Sequence, residues 1–424
     1  MAERSRIVIV GGGFAGLHAA RALARRDDVS VTVVDRRNHH VFQPLLYQVA
    51  TAALSPGDIA SPIRWILRRQ RNVSVLLAEV VRIDTTHKCL DLTVGEPLAF
   101  DFLIVAAGVT HAYFGRDDWR ETAPGLKTME DALHIRRRIL LAFEEAERVA
   151  SSGARLDAGL MTFVVVGGGP TGVELAGALA EIARHTMKHD FRRIDPASSS
   201  IVLVEGGPRL LPSFGAGQGA FAERALARLG VTVRTSARVT GVDREGVTIL
   251  GADGTESRLA SRTVLWAAGV AASPLGRTFP DLIDRAGRVK VKPDLTVPGH
   301  PSIFVVGDLA TLAGPKGPYP GVAQVAMQQG AQAAANILRA IDGKPPRPFK
   351  YFDWGNMATI GRAKAIADFG WLQMQGFIAW LAWLFIHLVK LIGFRNRLSV
   401  LLQWAWAYAS YQRNVRLITE DEGK

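Results

Sequence analysis

One pattern occurs twice in this chain and limits its fold more than any other feature. RIVIVGGGFAG opens the first copy and FVVVGGGPTGVE the second, with Gly11 and Gly167 lying 156 residues apart. Each copy runs from an apolar strand into a glycine-rich turn, then a helix, then a second strand. In the first these are IVIV, LHAARALARR and SVTVVD; in the second, TFVVV, VELAGALAEIARH and SIVLVE. Short apolar strands alternating with amphipathic helices require a parallel sheet covered on both faces. Each copy also has a later strand ending in a small turn, FLIVAAGV with Ala107 and Gly108 and TVLWAAGV with Ala268 and Gly269. The fold class is therefore α/β, with two Rossmann-like dinucleotide-binding domains. A further strand, PSIFVVGDLA, ends in Gly307 and Asp308, so the second domain reads as inserted in the first. The expected boundaries are 1–120 and 290–345 for the first domain, 121–289 for the second, and 346–424 for a C-terminal region beyond the linker-like IDGKPPRPFK.

The turns predict two nucleotide sites. Gly11, Gly13 and Gly16 follow a strand and open a helix whose first residues are Phe14 and Ala15. The first glycine allows the tight turn, the second lets backbone approach a pyrophosphate, and the third lets helix pack on strand. Free N–H groups and the dipole at the helix start favour the anion. Asp35, next to Arg36, ends the following strand 19 residues after Gly16 and suits a ribose hydroxyl. Gly167, Gly169, Pro170, Thr171 and Gly172 repeat the arrangement, with Glu205 at the strand end. A carboxylate there accepts from a free 2′-hydroxyl and repels a 2′-phosphate, which favours NADH over NADPH, although Arg209 nearby would soften that preference. Asp308, where the chain returns to the first domain, suits the ribityl chain of a flavin. FAD is thus expected in the first copy and NADH in the second, a pairing that makes the protein an electron relay.

Composition removes several alternatives. Cys89 is the single cysteine, so no internal disulfide, CxxC pair or cysteine cluster exists to relay electrons. It lies in HKCLDLTVG and reads as a packed strand residue. The net charge of +12 favours an anionic partner, either nucleic acid or a membrane surface. No zinc spacing, helix-turn-helix pattern or basic-aromatic RNA signature supports nucleic acid. No metal site is expected. A glycine motif by residue 11 leaves no room for a secretory leader, so a cytosolic chain is expected.

The C-terminal region points to the membrane. Residues 369–419 contain no Asp or Glu, five basic residues (Lys390, Arg395, Arg397, Arg413, Arg416) and five of the nine tryptophans. GFIAWLAWLFIHLVKLIGF is 19 residues long, near the length of a span, but His387 and Lys390 interrupt it. LSVLLQWAWAYASYQRNVR follows as a second amphipathic segment. Two helices lying in the interface are expected, with tryptophans at headgroup level and basic residues on anionic lipid. The other uses of such helices are a buried pair or a homodimer contact.

One more stretch stands out. AQVAMQQG at 323–330 places Gln324 and Gln328 on one helical face, with Gln329 pointing elsewhere. Uncharged donors among apolar neighbours suit a quinone, which has carbonyl oxygens and no charge.

Taken in order, VIVGGGFAG, HHVFQPLLYQVATAALSP, VVVGGGPTGVELAG, VEGGPRLLP, VGDLA, AQVAMQQG and GFRNR with its tryptophans resemble the type II NADH dehydrogenases from end to end. These are single-subunit, non-proton-pumping NADH:quinone oxidoreductases. The resemblance implies a bound FAD, NADH as substrate and a membrane quinone as acceptor. It places Ala323 and Gln324 at the helix start under the flavin, Pro44, Tyr47 and Gln48 near its ring, and Gln324, Gln328, Tyr47 and Gln48 toward the quinone. Glu174 matches the acidic residue near the nicotinamide and is the expected catalytic partner of the two glutamines. Val322 departs from the Thr that the family often has before the Ala-Gln pair. The family's monotopic anchor implies the cytoplasmic face of the cell's inner membrane. The alternative is a soluble or peripheral NAD(P)H-dependent flavoprotein reductase with another acceptor. A sulfide:quinone oxidoreductase needs redox cysteines that Cys89 alone does not supply.

Overall fold

A computed structural model describes residues 4–24, 26–315, 317–410 and 415–418. It divides into two compact units. The first comprises Met1–Val41, Ala60–Thr110 and Val270–Trp354; the second comprises Phe42–Ile59, His111–Gly269 and Gly355–Lys424. The segment carrying Pro44, Tyr47 and Gln48 therefore packs with the second glycine motif and the C-terminal region.

The first unit is built on a six-stranded sheet. Its order is Thr296–Val297, His300–Val305, Phe102–Val105, Ser5–Val10, Val29–Asp35 and Val73–Leu77. All neighbours are parallel except the Thr296–Val297 edge. Runs of valine and isoleucine make these strands, because β-branched side chains pack well on a pleated surface buried on both faces. Val8, Val10, Val34, Leu103, Val105, Ile303 and Val305 form the core beneath them. Strand His300–Val305 brings Gly307 and Asp308 to the sheet edge where Gly11 and Gly108 also lie.

Two helices cover the opposite face. Phe14–Leu23 packs along the long helix Ala323–Ile341, the glutamine helix. Small residues make the approach close: a Cβ added at Gly330 would lie 2.1 Å from the Ala15 carbonyl oxygen.

The second unit repeats the theme with a parallel sheet ordered Val231–Arg234, Ser200–Val204, Thr162–Val166 and Thr263–Trp266. Val164, Val166, Val202, Val204, Val264 and Trp266 fill its core. Helix Pro170–Glu181 follows the central strand. Beyond it, a three-stranded antiparallel sheet (Asn356–Thr359, Ala365–Asp368, Gln373–Gly376) leads straight into two helices, Phe377–Lys390 and Phe394–Ser410. Gly393, at φ +92°, breaks the apolar run between them. The first of the two has 14 residues and so measures about 21 Å, short of the ~30 Å hydrocarbon core. Among the described residues, no helix is long and apolar enough to cross a membrane.

Gly330→Val should force the glutamine helix off Phe14–Leu23. We expect a loss of about 1–3 kcal/mol of stability, read as a lower Tm, together with less FAD retained per protein by absorbance. An unchanged Tm would show that this crossing is not tight.

Candidate nucleotide and quinone sites

The two glycine turns have the same internal geometry. Gly11 has φ +104° and Gly167 φ +109°, a region that only glycine enters without strain. Added Cβ atoms at Gly13 and Gly169 would meet nothing within 4 Å, so backbone faces open space at the start of each helix. Neither helix has a side-chain cap or an acidic residue in its first turn, which leaves the leading N–H groups to an anion. Each turn is closed by the carboxylate predicted for the ribose. Asp35 accepts from Gly12 N at 2.6 Å and Arg37 N at 2.7 Å. Glu205 accepts from Gly168 N at 2.5 Å and Gly207 N at 2.6 Å. A carboxylate has about four lone-pair directions, so each keeps acceptor capacity for a ribose hydroxyl. Arg36 reaches Glu79 at 3.5 Å on the surface. Arg209 binds the carbonyls of Pro212 and Phe214, both at 2.8 Å, so its guanidinium braces its own loop. Gly108, Gly269 and Gly307 all take positive φ where strands end in the predicted turns. The open cradle at Gly13, the uncapped helix and the ready carboxylate fit the pyrophosphate and ribose of FAD in the first unit.

The glutamine helix shows how its three amides divide. Gln329 is buried and accepts from Gly307 N at 2.7 Å, which fixes the turn that carries Asp308. Gln328 pairs reciprocally with Phe352, donating to its carbonyl at 2.8 Å and accepting from its N–H at 2.9 Å. Gln324 accepts from Trp354 N at 2.9 Å. The two face-sharing glutamines thus hold the segment Phe352–Trp354, a contact that their spacing alone did not reveal. Val322 supplies no side-chain oxygen to the helix start, and the helix from Ala323 and Gln324 begins without a side-chain cap.

The second unit brings Glu174, Tyr47 and Gln48 into one hydrogen-bonded chain. Thr359 N donates to Glu174 Oε1 at 3.3 Å, and Thr359 Oγ1 lies 3.0 Å from the Tyr47 hydroxyl. Gln48 Nε2 donates to that hydroxyl at 3.0 Å, and Trp404 Nε1 donates to Gln48 Oε1 at 2.7 Å. Tyr47, Gln48 and Thr359 are buried. Desolvation raises the Glu174 carboxyl to about 8, against the N–H bond from Thr359 that lowers it. At neutral pH it holds its proton. Burial also raises the Tyr47 phenol, so it stays a neutral hydroxyl. Pro44 sits in the turn Gln43–Leu45 just before these residues.

Thr359 and Trp404 were not candidates from sequence. Thr359 lies in a plain MATIG stretch with no motif to mark it. Trp404 was grouped with headgroup tryptophans, but its indole points to Gln48. The tail tryptophans in fact divide. Trp383 is 3% exposed and stacks on His387 at 4.3 Å, whereas Trp371 is 85% exposed. Burial lowers His387 to about 4, so this histidine within the apolar run is neutral. The basic residues divide too: Lys390, Arg395 and Arg397 are exposed, Arg416 pairs with Asp190, and Arg413 lies outside the described residues. Cys89 is a half-buried free thiol on strand Cys89–Leu92.

Paired nucleotide turns of this kind, one for flavin and one for pyridine nucleotide, define a flavoprotein reductase. A family model described as pyridine nucleotide-disulphide oxidoreductase matches residues 5–330, and one described as the NDH2 C-terminal domain matches 354–409. The type II NADH:quinone oxidoreductase Ndh of Mycobacterium tuberculosis is 48% identical over 433 residues, covering 99% of this chain and 91% of the relative. The type II NADH:quinone oxidoreductase of Staphylococcus aureus is 29% identical, covering 85% of this chain and 88% of the relative. NDH2 from Plasmodium falciparum, solved in complex with NADH, shares the fold with a TM-score of 0.87 at 20% identity, covering 99% of this chain and 100% of that one. Sulfide:quinone oxidoreductase from Aquifex aeolicus shares it less closely, at 0.68 and 18% identity, covering 98% of this chain and 93% of that one. The chain belongs to the type II NADH:quinone oxidoreductases, a flavin-dependent branch of the pyridine nucleotide-disulphide oxidoreductase family.

The raised Glu174 carboxyl has a consequence for stability. Its folded value of about 8 lies above its ordinary 4.5, so the folded state binds the extra proton between those limits. Its contribution is present below pH 4.5 and is lost as pH rises through 8. Glu174→Gln should therefore flatten the decline of Tm between pH 6 and pH 9, with a gain over wild type at the alkaline end. A parallel decline in both proteins would show that the carboxyl titrates normally.

Proposed function

We propose that the first unit holds FAD through Gly11, Gly13, Phe14, Ala15, Gly16 and Asp35, with Ala107, Gly108, Gly307, Asp308 and Ala323 completing the site. The second binds NADH through Gly167, Gly169, Pro170, Thr171, Gly172, Glu205, Ala268 and Gly269. When bound, FAD would accept hydride from NADH and pass two electrons to a membrane quinone. Every other task falls to the chain itself. Glu174, protonated at neutral pH, meets the nicotinamide as a neutral acid and adds no charge beside it. Glu205 selects the free 2′-hydroxyl of NADH, and Arg209, already bound to two carbonyls, offers little to a 2′-phosphate. Gln328 keeps a second amide proton for a quinone carbonyl after donating one to Phe352. Gln324 is the first unit's other residue assigned to the quinone, and Tyr47 and Gln48 are those of the second unit.

The observation that carries the membrane reading is a pair of apolar stripes. Phe377, Leu381, Phe385 and Val389 recur every fourth residue on the first tail helix, all exposed. Phe394, Leu398, Leu402 and Trp406 do the same on the second. Such stripes lie in a bilayer interface, with Lys390, Arg395 and Arg397 meeting anionic lipid at their ends. Lipid is favoured over a homodimer contact because no acidic residue in 369–419 would pair with those cations in a second copy. The position assigned is the cytoplasmic face of the inner membrane.

Gln324→Ala and Gln328→Ala should lower turnover with quinone about tenfold more than turnover with ferricyanide. Equal losses would leave the glutamines the single task of holding Phe352 and Trp354. Phe385→Glu with Leu402→Glu changes two side chains that are 66% and 61% exposed. This double variant should fail to float with anionic vesicles while keeping its bound flavin. Flotation at the wild-type level would remove the helices from the lipid contact.

A further inference from the structure

An indole nitrogen can only donate a hydrogen bond, whereas a primary amide can donate or accept depending on which way it is turned. This asymmetry gives Trp404 a task. Its Nε1 lies 2.7 Å from Gln48, so the atom facing it must be the amide oxygen. The amide nitrogen of Gln48 is then turned to the Tyr47 hydroxyl at 3.0 Å. That hydroxyl, which accepts from Gln48, also pairs with Thr359 Oγ1 at 3.0 Å. One donor-only group thus fixes which way the Gln48 amide is turned. Gln48 donates one amide proton to Tyr47 and retains a second.

Trp404 is itself held in place. On the same helix, Gln403 directly before it and Ser399 five residues before it donate to the buried Asp58 carboxylate, Ser399 Oγ at 2.8 Å and Gln403 Nε2 at 3.0 Å. Ser55 supplies two more donors to that carboxylate, from N and Oγ, both at 2.8 Å. The Trp383 ring lies 5.5 Å from the Trp404 ring.

We propose that Trp404 is a positioning residue for quinone binding: it locks Gln48 with an N–H, not a carbonyl, turned toward the substrate. The proposal rests on the assignment of Tyr47 and Gln48 to the quinone side made above. The chemistry is selective. A quinone presents only carbonyl acceptors at its polar ends, so an amide turned the other way would set oxygen against oxygen. Without the indole donor both orientations of Gln48 become accessible, and the one that repels quinone is no longer excluded. The same helix carries the Phe394–Trp406 apolar stripe, so the residue that sets Gln48 sits on the element expected to meet the lipid.

The test is a double-mutant cycle on the FAD-loaded enzyme in lipid, using Trp404→Phe, Gln48→Leu and the pair. Trp404→Phe keeps an aromatic ring but removes the N–H donor together with part of the indole, and Tm reports the packing lost. The Kd of a short-chain ubiquinone, measured by equilibrium binding, and the quinone KM are both read, with Tm as the check on folding. Trp404→Phe is expected to weaken quinone binding about tenfold, the scale of one hydrogen bond, and to raise KM with little change in kcat. Because it acts through Gln48, the pair should bind no more weakly than Gln48→Leu alone. Multiplying losses, or a Trp404→Phe enzyme with wild-type quinone affinity beside a weakened Gln48→Leu, would overturn the role of Trp404 and leave Gln48 in the quinone site. Wild-type affinity in Gln48→Leu would instead remove Gln48 from that site, and the inference with it.

Discussion

A carboxylate bound to the backbone of a glycine turn is the interaction on which both halves of this chain depend. In each unit it comes from the end of the neighbouring parallel strand and receives the N–H of the middle glycine, Gly12 for Asp35 and Gly168 for Glu205. It also receives an N–H two residues along its own chain, from Arg37 or Gly207. Two charge-assisted bonds shape the turn before any nucleotide arrives. The helix N-terminus is therefore presented at a fixed height above the sheet, and its free N–H groups need no reorganisation to meet a pyrophosphate. The glycines make the turn allowable, and the carboxylate makes it a particular turn.

The glutamine helix depends on the first of these turns. It lies against Ala15 through Gly330, so its distance from the phosphate-binding helix is set by the absence of a side chain. Gln329 then ties it to Gly307, and Gln324 and Gln328 tie Phe352 and Trp354 to it. An amide suits this work because it satisfies a backbone donor and a backbone acceptor at once, as Gln328 does with Phe352. The same dual character leaves donor capacity over for a substrate carbonyl. Holding the segment and binding a quinone are compatible tasks for Gln328, since its nitrogen carries two protons and its backbone partner uses one.

What was legible in the sequence follows from distance along the chain. The doubled turns could be read because strand, glycines and helix lie within about a dozen residues, and the strand-end acids fall at the spacing the fold requires. AQVAMQQG could be read as a face, yet its partners at 352–354 are over twenty residues on and carry no mark. Tyr47, Gln48, Glu174, Thr359 and Trp404 meet in one row from four separated stretches of chain, and no local pattern predicts such a meeting. Composition misled about the tryptophans for a related reason. A count places all five at a lipid surface, whereas Trp383 is enclosed and Trp404 is engaged with Gln48.

The tail resolves a conflict that hydropathy alone leaves open. A 19-residue run interrupted by His387 and Lys390 would nearly span a membrane if it formed one helix, but the helix ends at Lys390, Leu391 is extended, and past Gly393 at φ +92° the chain enters a second helix at Phe394. His387 is no obstacle to the apolar run, since stacking on Trp383 and burial leave it uncharged. The inner faces of the two helices are spent on the protein: Ala379 and Trp383 are buried on the first, and Val400 is buried on the second while Ser399 and Gln403 bind Asp58. The outer faces stay apolar: Phe377, Ile378, Leu381, Phe385 and Val389 are exposed on the first helix, and Phe394, Leu398, Leu401, Leu402 and Trp406 on the second. A face of that width covers one side of a helix and leaves the other polar or packed, which is the geometry of an element lying in an interface. The first helix is apolar on nearly every side but has 14 residues, too few to cross, and the second carries Arg395, Asn396, Arg397, Ser399 and Gln403 among its apolar residues.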